Sequence, residues 1–483
     1  MTTIKRSGFF QPHTLALAVA LGISAPAYAL NFNIGEVEGQ LDSAISVGAS
    51  WSMASPDKKL LGTTNGGTGY TQTGDDYRAN FKKGETFSKI FKGSHDLELK
   101  YGDTGVFVRG KYWYDFELKD EHRLHKDISD SNRKTAAQSS GAEILDAFVY
   151  HNYSIGELPG SVRVGRQVVS WGESTFIGNS INSINPVDAA AFRRPGAEVK
   201  EGLIPVNMIY ISQSLTDRLS AEAFYQLEWD QTVADNCGTF FATSDVVADG
   251  CNGNYHFGND QSVPALIGAA GALGITIDEE GIVLPRGGDR DARDSGQFGL
   301  ALRWAGDAAE YGAYFINYHS RSPNVSYQYA SEANIARGLA SGAAAKAVLI
   351  GSGNYFLEYP EDIQLYGLSF STSLPTGTAW QGEISYRPNA PVQINGTDMT
   401  ARLAANPAAA AATLGVAGAA AAFGGTDTRG YNRKEITQVQ TTFTHFFDQV
   451  MGAGRMTLVG EIGAMRIGAL EKRTYGRDSI YGS

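Results

Sequence analysis

The sequence is short of cysteine, of positive charge and of any late helix able to cross a membrane. Its two cysteines, Cys237 and Cys251, fall in one polar loop. No His or Cys stands beside them at zinc-site spacing, so one local disulfide is expected in an oxidising compartment rather than a metal centre. The formal charge of -11 argues against nucleic acid as a partner. The longest apolar tract beyond the N-terminus, 408–423, is alanine and glycine with few large side chains. It falls short of the roughly 20 strongly apolar residues a spanning helix needs. No G-x-S-x-G nucleophile elbow occurs, and no glycine-rich phosphate loop precedes a helix. His122 and His125 in "EHRLH" have a spacing that suits a shared metal. They lack a further ligand at helix spacing and read as a solvated loop. No catalytic activity, metal or cofactor is expected.

What is present begins with an export signal. "MTTIKRSGFFQPHTLALAVALGISAPAYA" has a basic start at Lys5 and Arg6, an apolar core over 15–23, and a small-x-small site at Ala27-Tyr28-Ala29. This predicts a signal peptide over 1–29, cut after Ala29, and a mature chain over 30–483. An exported chain with 57 Gly, 23 Tyr and 23 Phe and no helical anchor is either soluble and secreted or an outer-membrane barrel.

The rest alternates with period two. In "EVEGQLDSAISVGASW" Val37, Leu41, Ile45, Val47 and Trp51 oppose Glu36, Glu38, Gln40 and Asp42. In "VFVRGKYWYDFELK" Val106, Val108, Tyr112, Tyr114, Phe116 and Leu118 oppose Arg109, Lys111, Asp115 and Glu117. The stretches starting at Leu219, Gln297 and Trp380 repeat the pattern, with Glu222 and Glu383 on polar faces. Polar faces carry both signs of charge, and apolar faces end in Tyr or Trp, as a wet lumen and aromatic girdles require. Connections alternate too. Tight turns at 102–104, 155–160, 215–217, 305–309, 375–378 and 448–454 separate long loops near 52–93, 120–141, 172–202, 230–295, 322–361 and 388–433. The fold class is therefore all-β: an antiparallel up-and-down outer-membrane barrel with long outer loops. About thirteen strands are counted, the last near 455–467. Because barrels of this kind close with even numbers, about 14–16 are expected when complete, with C-terminal strands beyond this sequence. Ala-rich stretches at 263–277, 333–350 and 401–423 predict short helices in the outer loops. These either pack on one another or form an apolar capture groove.

One stretch breaks the rhythm: "WGESTFIGNSINSINPVD", running into "AAFRRPG". Polar, Gly-containing backbone at membrane depth is tolerated against protein or a water-filled cavity, so 172–202 is expected to fold into the lumen. The expected pore-lining set is Arg166, Gln167, Trp171, Glu173, Asn182, Asn185, Asp188, Arg193 and Arg194, joined by Arg109 and Lys111 from the wall; facing acids and bases select solutes by charge and size. The alternative is that the segment only braces the wall. Continuing the strand's phase would put Arg166 toward lipid, so either a bulge at Gly165 or a place at the interface is expected.

"GRQVVSWGESTFIGNSINSINPVD" followed by "RRPGAEVKEGLIPV" resembles an outer-membrane protein family of Gram-negative bacteria, domain of unknown function 1302, over essentially the whole mature chain. The resemblance implies passage of hydrophobic or aromatic compounds, in functional association with inner-membrane export pumps of the resistance-nodulation-division type. The favoured expectation is an outer-membrane channel or transporter for small organic solutes, in contact with lipid. The alternatives are a structural or adhesive surface barrel and, third, a hydrolase whose triad is assembled across strands.

Overall fold

The computed structural model describes residues 19–24, 28–259, 261–471 and 475. Lys5 and Arg6 of the expected leader lie outside them. Fifteen strands form one antiparallel sheet. They are β1 (Val19–Ser24), β2 (Tyr28–Ile34), β3 (Val37–Trp51), β4 (Thr86–Tyr101), β5 (Thr104–Asp115), β6 (Ser140–Ile155), β7 (Leu158–Gln167) and β8 (Val206–Ser214). Then follow β9 (Leu219–Gln226), β10 (Phe298–Ala305), β11 (Glu310–Tyr318), β12 (Ile363–Ser373), β13 (Ala379–Gln393), β14 (Tyr431–Val450) and β15 (Ala453–Ile467). From β3 to β15 each strand pairs with its sequence neighbours, the up-and-down order of an outer-membrane barrel wall. These are the thirteen strands counted from alternation. The sheet is not closed: among the described residues β15 pairs only with β14. At the other edge, β1 and β2 both pair with β3. Val19–Ser24, read from sequence as leader, thus occupies half of that edge in the uncleaved chain.

The alternation sorts the two faces as expected. On β10, Phe298, Leu300, Leu302 and Trp304 are exposed, while Ala301 between them is buried. On β12 Tyr366 and Leu368 are exposed, with Leu365 and Ser369 buried; on β13 Ile384 is exposed, with Glu383 and Ser385 buried. Apolar side chains left in contact with the surroundings on one face, and charges enclosed on the other, are the reverse of a water-soluble sheet and fit a lipid-facing wall. Aromatic rings cluster near the tight turns. Trp304 stacks on Tyr311, and Trp380 lies parallel to Phe443 at 5.9 Å. A second group, Phe298, Phe315 and Tyr366, lies toward the long loops. Phe298 and Trp304 are six residues apart on one strand, about 20 Å, which sets the height of the apolar band between the two groups.

Tight turns close one end. One of them, Gly102-Asp103, is a two-residue hairpin loop between β4 and β5 with Gly102 at φ 56, the glycine placement of a type II′ turn. Alternation misleads at the end of β5. Phe116, Glu117 and Leu118, read as strand, form a short helix, Phe116–Asp120. Asp115 caps it, accepting from the N–H groups of Glu117 and Leu118, and a capping carboxylate outweighs period-two patterning.

The long loops at the other end form a packed cap with its own core. Tyr255, Leu284, Tyr327, Ile335, Ile350, Tyr355, Met399 and Leu403 are buried together. The helices Glu332–Ala340, Ala345–Gly351 and Gly396–Phe423 stand where alanine content placed them, and they pack on one another. Cys237 and Cys251 are disulfide-bonded within the cap, Cα atoms 6.4 Å apart.

Candidate functional site

The segment between β7 and β8 crosses the charged face of the sheet as a strap. Its base is closed by Asn185. The amide oxygen accepts from the Val169 N–H at 3.0 Å, and the amide nitrogen donates to the carbonyls of Gln167 and Ile204. One buried side chain thereby ties the two ends of the excursion together.

At one side the strap is held by lysines. Lys111 on β5 donates to Asp188 at 2.7 Å, and Asp188 is fully buried while also capping the short helix Ala189–Arg193. Lys92 on β4 donates to both oxygens of Glu201 and to the Gly196 carbonyl. Arg109 binds Asp96 through Nε and Nη2 and reaches Asp146 at 3.2 Å.

At the other side the strap is held by carboxylates on distant strands. Glu222 on β9 accepts from Trp171 Nε1 at 2.7 Å, from the Tyr210 hydroxyl and from Arg303. Glu383 on β13 accepts from the Glu173 N–H at 2.5 Å and the Gln440 amide. Glu461 on β15 accepts from the N–H groups of Thr175, Phe176 and Ile177. Gln381, Gln438 and Gln440 donate to the carbonyls of Glu173, Gly178 and Ile177. Gly172 runs so close that a Cβ there would meet the Glu383 carboxylate at 2.5 Å, and its φ of 90 also favours glycine. Over 173–178 the strap's backbone groups are satisfied by these wall side chains in place of a strand ladder.

Beneath it the face is not a wet lumen throughout. Trp171, Ile181 and Ile184 on the strap pack with Met208, Phe224, Tyr314, Ile316 and Leu365 in a buried apolar cluster. The wet-lumen expectation is corrected over β8 to β12. The cause is sequence: Met208, Phe224, Ile316 and Leu365 occupy wall positions facing the strap.

The residues expected in the narrow part separate into groups. Trp171, Glu173, Asn185, Asp188 and Lys111 lie in the strap and its anchors, whereas Arg109 pairs with Asp96 and Asp146 within the wall. Gln167 is buried, donating to the Met208 carbonyl. Asn182 is exposed and donates to Ser170. Arg166 pairs across the sheet with Asn207, on the side of Val164 and Ile209 and opposite the buried Met208. Its Nε donates to the Pro205 carbonyl at the loop end of the wall. Arg166 is thus corrected from a lining residue to a rim residue. The register of β7 runs through without a shift, so no bulge redirects it. Arg193 pairs with Asp235 and the Phe241 carbonyl, and Arg194 lies 4.2 Å over the Trp113 ring and donates to Ala136. Arg193 faces loop residues, and Arg194 lies between Trp113 of β5 and the loop residue Ala136. Glu461 and Gln438, which hold the strap, carried no distinguishing signal in sequence: each is one polar residue in an alternating strand.

In the cap, His125 is not solvated, contrary to the reading of "EHRLH". Its Nε2 bonds Glu280 at 2.7 Å, and hydrogen bonds to Asp76 and Glu280 push its pKa up to about 9. His122 is exposed and pairs with Asp127 instead. A cavity of about 830 Å³ opens between the loops, lined by Tyr255, Phe257, Leu266, Ile282 and Ile350 together with Thr63, Thr71, Thr73 and Thr400.

The apolar-out sheet, the tight turns at one end and the strap across the charged face define a β-barrel-wall protein of the outer-membrane type. The chain belongs to the family described as Protein of unknown function (DUF1302), whose profile matches residues 11–480. No curated protein matches it. Solved structures similar to it include Salmonella typhi OmpF in complex with daunomycin, at 10% identity and TM-score 0.30 over 89% of this chain and 86% of that one. The outer membrane channel DcaP of Acinetobacter baumannii has 10% identity and TM-score 0.33 over 89% and 79%. Pseudomonas aeruginosa OpdQ has 7% and 0.29 over 94% and 88%.

Proposed function

We propose that this protein is an outer-membrane channel, exported with a leader removed after Ala29, that passes small organic molecules of hydrophobic or aromatic character. The observation that carries the reading is the strap. A segment pinned from β4 and β5 across to β15 by buried ion pairs and carboxylate–backbone bonds lies where it narrows any passage along the charged face, and it leaves Asn182 exposed beside that face. A purely structural or adhesive barrel has no need of such a segment. The substrate class is supported by the cap cavity, whose volume falls in the range of small-molecule sites and whose lining mixes aromatic and aliphatic carbons with hydroxyls. Association with a resistance-nodulation-division type pump follows from the family resemblance and belongs to the same proposal.

The test is planar-bilayer conductance of the full-length protein, with and without small aromatic solutes. Discrete conductance steps, blocked by an aromatic solute and relieved of that block by Ile350→Arg in the cap cavity, are expected. A silent barrel that folds normally would favour the adhesive reading.

A further inference from the structure

Three loops meet in the cap at a group of acidic side chains. Asp75 and Asp76 come from the loop between β3 and β4, Asp245 and Glu280 from that between β9 and β10, and His125 and Lys126 from that between β5 and β6. The charges are unequally shared. Lys126 donates to both oxygens of Asp76 and pairs with Glu280, and His125 bonds Glu280 as well. Those two cations are therefore spent on Asp76 and Glu280.

Among the described residues neither Asp75 nor Asp245 forms an ion pair of its own. Both side chains are fully buried. One oxygen of each is satisfied: Asp75 Oδ2 accepts from the Gly62 N–H at 2.7 Å, and Asp245 Oδ2 from the Asp76 N–H at 3.2 Å. The other oxygen of each, Oδ1, is buried and has no hydrogen-bond partner among the described residues. An unpaired buried carboxylate oxygen is costly, and two beside each other more so. Yet the carboxylate oxygens offered by Asp75, Asp76 and Asp245 lie within 4.8 Å of one another, converging on one point.

We propose that Asp75, Asp76 and Asp245 form a calcium site that fastens the first outer loop to the loop carrying the disulfide. An all-oxygen, carboxylate-rich set drawn from irregular loops suits calcium, which accepts six to eight oxygens in flexible geometry, with water and backbone carbonyls completing the shell. Magnesium demands a near-ideal octahedron and fits such a set less well. The site also bears on the cap cavity, because Thr73 and His256 of the same two loops line it. The cation would fix the wall of that cavity. The proposal does not depend on the channel reading.

The experiment is calorimetric titration of Ca²⁺ into the folded full-length protein after chelator treatment, with Mg²⁺ as comparison. One saturable Ca²⁺ site is expected, with a dissociation constant on the order of 0.1–1 mM, the range of extracellular modules. Mg²⁺ should bind at least about tenfold more weakly, and the double variant Asp75→Asn/Asp245→Asn should lose the site while His122→Asn keeps it. If the double variant does not fold, amide exchange of 62–76 in the unaltered protein replaces it, and Ca²⁺ should slow that exchange. No heat and no slowing with Ca²⁺ would overturn the proposal and mean that one of the two carboxyls holds a proton instead. Equal binding by a folded double variant would overturn it as well.

Discussion

Glu461, on the last strand of the sheet, accepts the backbone N–H of Ile177 at 2.7 Å from 284 residues away in sequence. The same carboxylate takes the N–H groups of Thr175 and Phe176, so one side chain holds a full turn of the strap. A hydrogen bond to a charged group contributes about 1.5–3 kcal/mol. Glu461→Ala should therefore release about 3 kcal/mol or more of local stability. Amide exchange at 175–177 should accelerate about a hundredfold, at one decade per 1.4 kcal/mol. The wall should remain folded. Unchanged exchange would show that the Gln438 and Gln440 contacts hold the strap alone.

The opposite anchor behaves differently, because it is a buried ion pair. Lys111→Ala leaves Asp188 charged, enclosed and without its lysine, which should lower unfolding stability by about 3–5 kcal/mol in urea titrations of the micelle-bound protein. Replacing both partners, as Lys111→Met with Asp188→Asn, should recover most of the loss, since the amide can still cap the short helix that follows. A double variant as unstable as Lys111→Ala would show that the pair is not the source of the stability.

The disulfide joins residues 14 apart. A loop of this size restricts the unfolded chain by about 3 kcal/mol. Replacing Cys237 and Cys251 with serine should loosen the cap and leave the wall intact. Proteolysis of whole cells should then nick 230–295 at lower protease concentrations, with strand content by circular dichroism unchanged.

The wall was legible in the sequence because each of its strands must satisfy two solvents at once, and that requirement writes itself as period-two alternation with Trp and Tyr at the ends. The disulfide and the alanine-rich helices were legible for equally local reasons. The strap was legible only as an interruption. Its anchors were not, since Glu383 and Glu461 look like any polar residue of an alternating strand until the fold brings 173–177 against them. Arg166 went astray because its strand holds register to the rim, where the Pro205 carbonyl receives it. His125 went astray because its partners lie 49 residues before and 155 residues after it, and no spacing rule reaches that far.

The cap should face outward. Single cysteines placed at exposed positions of 120–139, 262–274 and 408–418, in a chain without Cys237 and Cys251, should react with an impermeant thiol reagent on intact cells. Cysteines placed at 156–157 or 452 should react only once the outer membrane is opened. Reversed labelling would invert the orientation and move the cap into the periplasm.

Ion preference should be set by arginines other than the pair read from sequence. Arg193 is matched by Asp235, and Arg194 is covered by Trp113, so replacing both with alanine removes little net field. Arg163 on β7 lies 4.1 Å over the Tyr210 ring, whose hydroxyl bonds Glu222 on the charged face. Arg387 on β13 is buried, and its Nε has no hydrogen-bond partner among the described residues. Among the described residues neither forms a salt bridge. Fixed charges in a confined passage act on permeating ions more strongly than exposed ones, which are screened beyond about 8 Å at physiological salt. Arg163→Ala with Arg387→Ala should therefore move the reversal potential in a salt gradient toward cations. Arg193→Ala with Arg194→Ala should leave it nearly where it was. The opposite ranking would place the narrow part at the helix Ala189–Arg193, on the side of the strap that Lys111 holds.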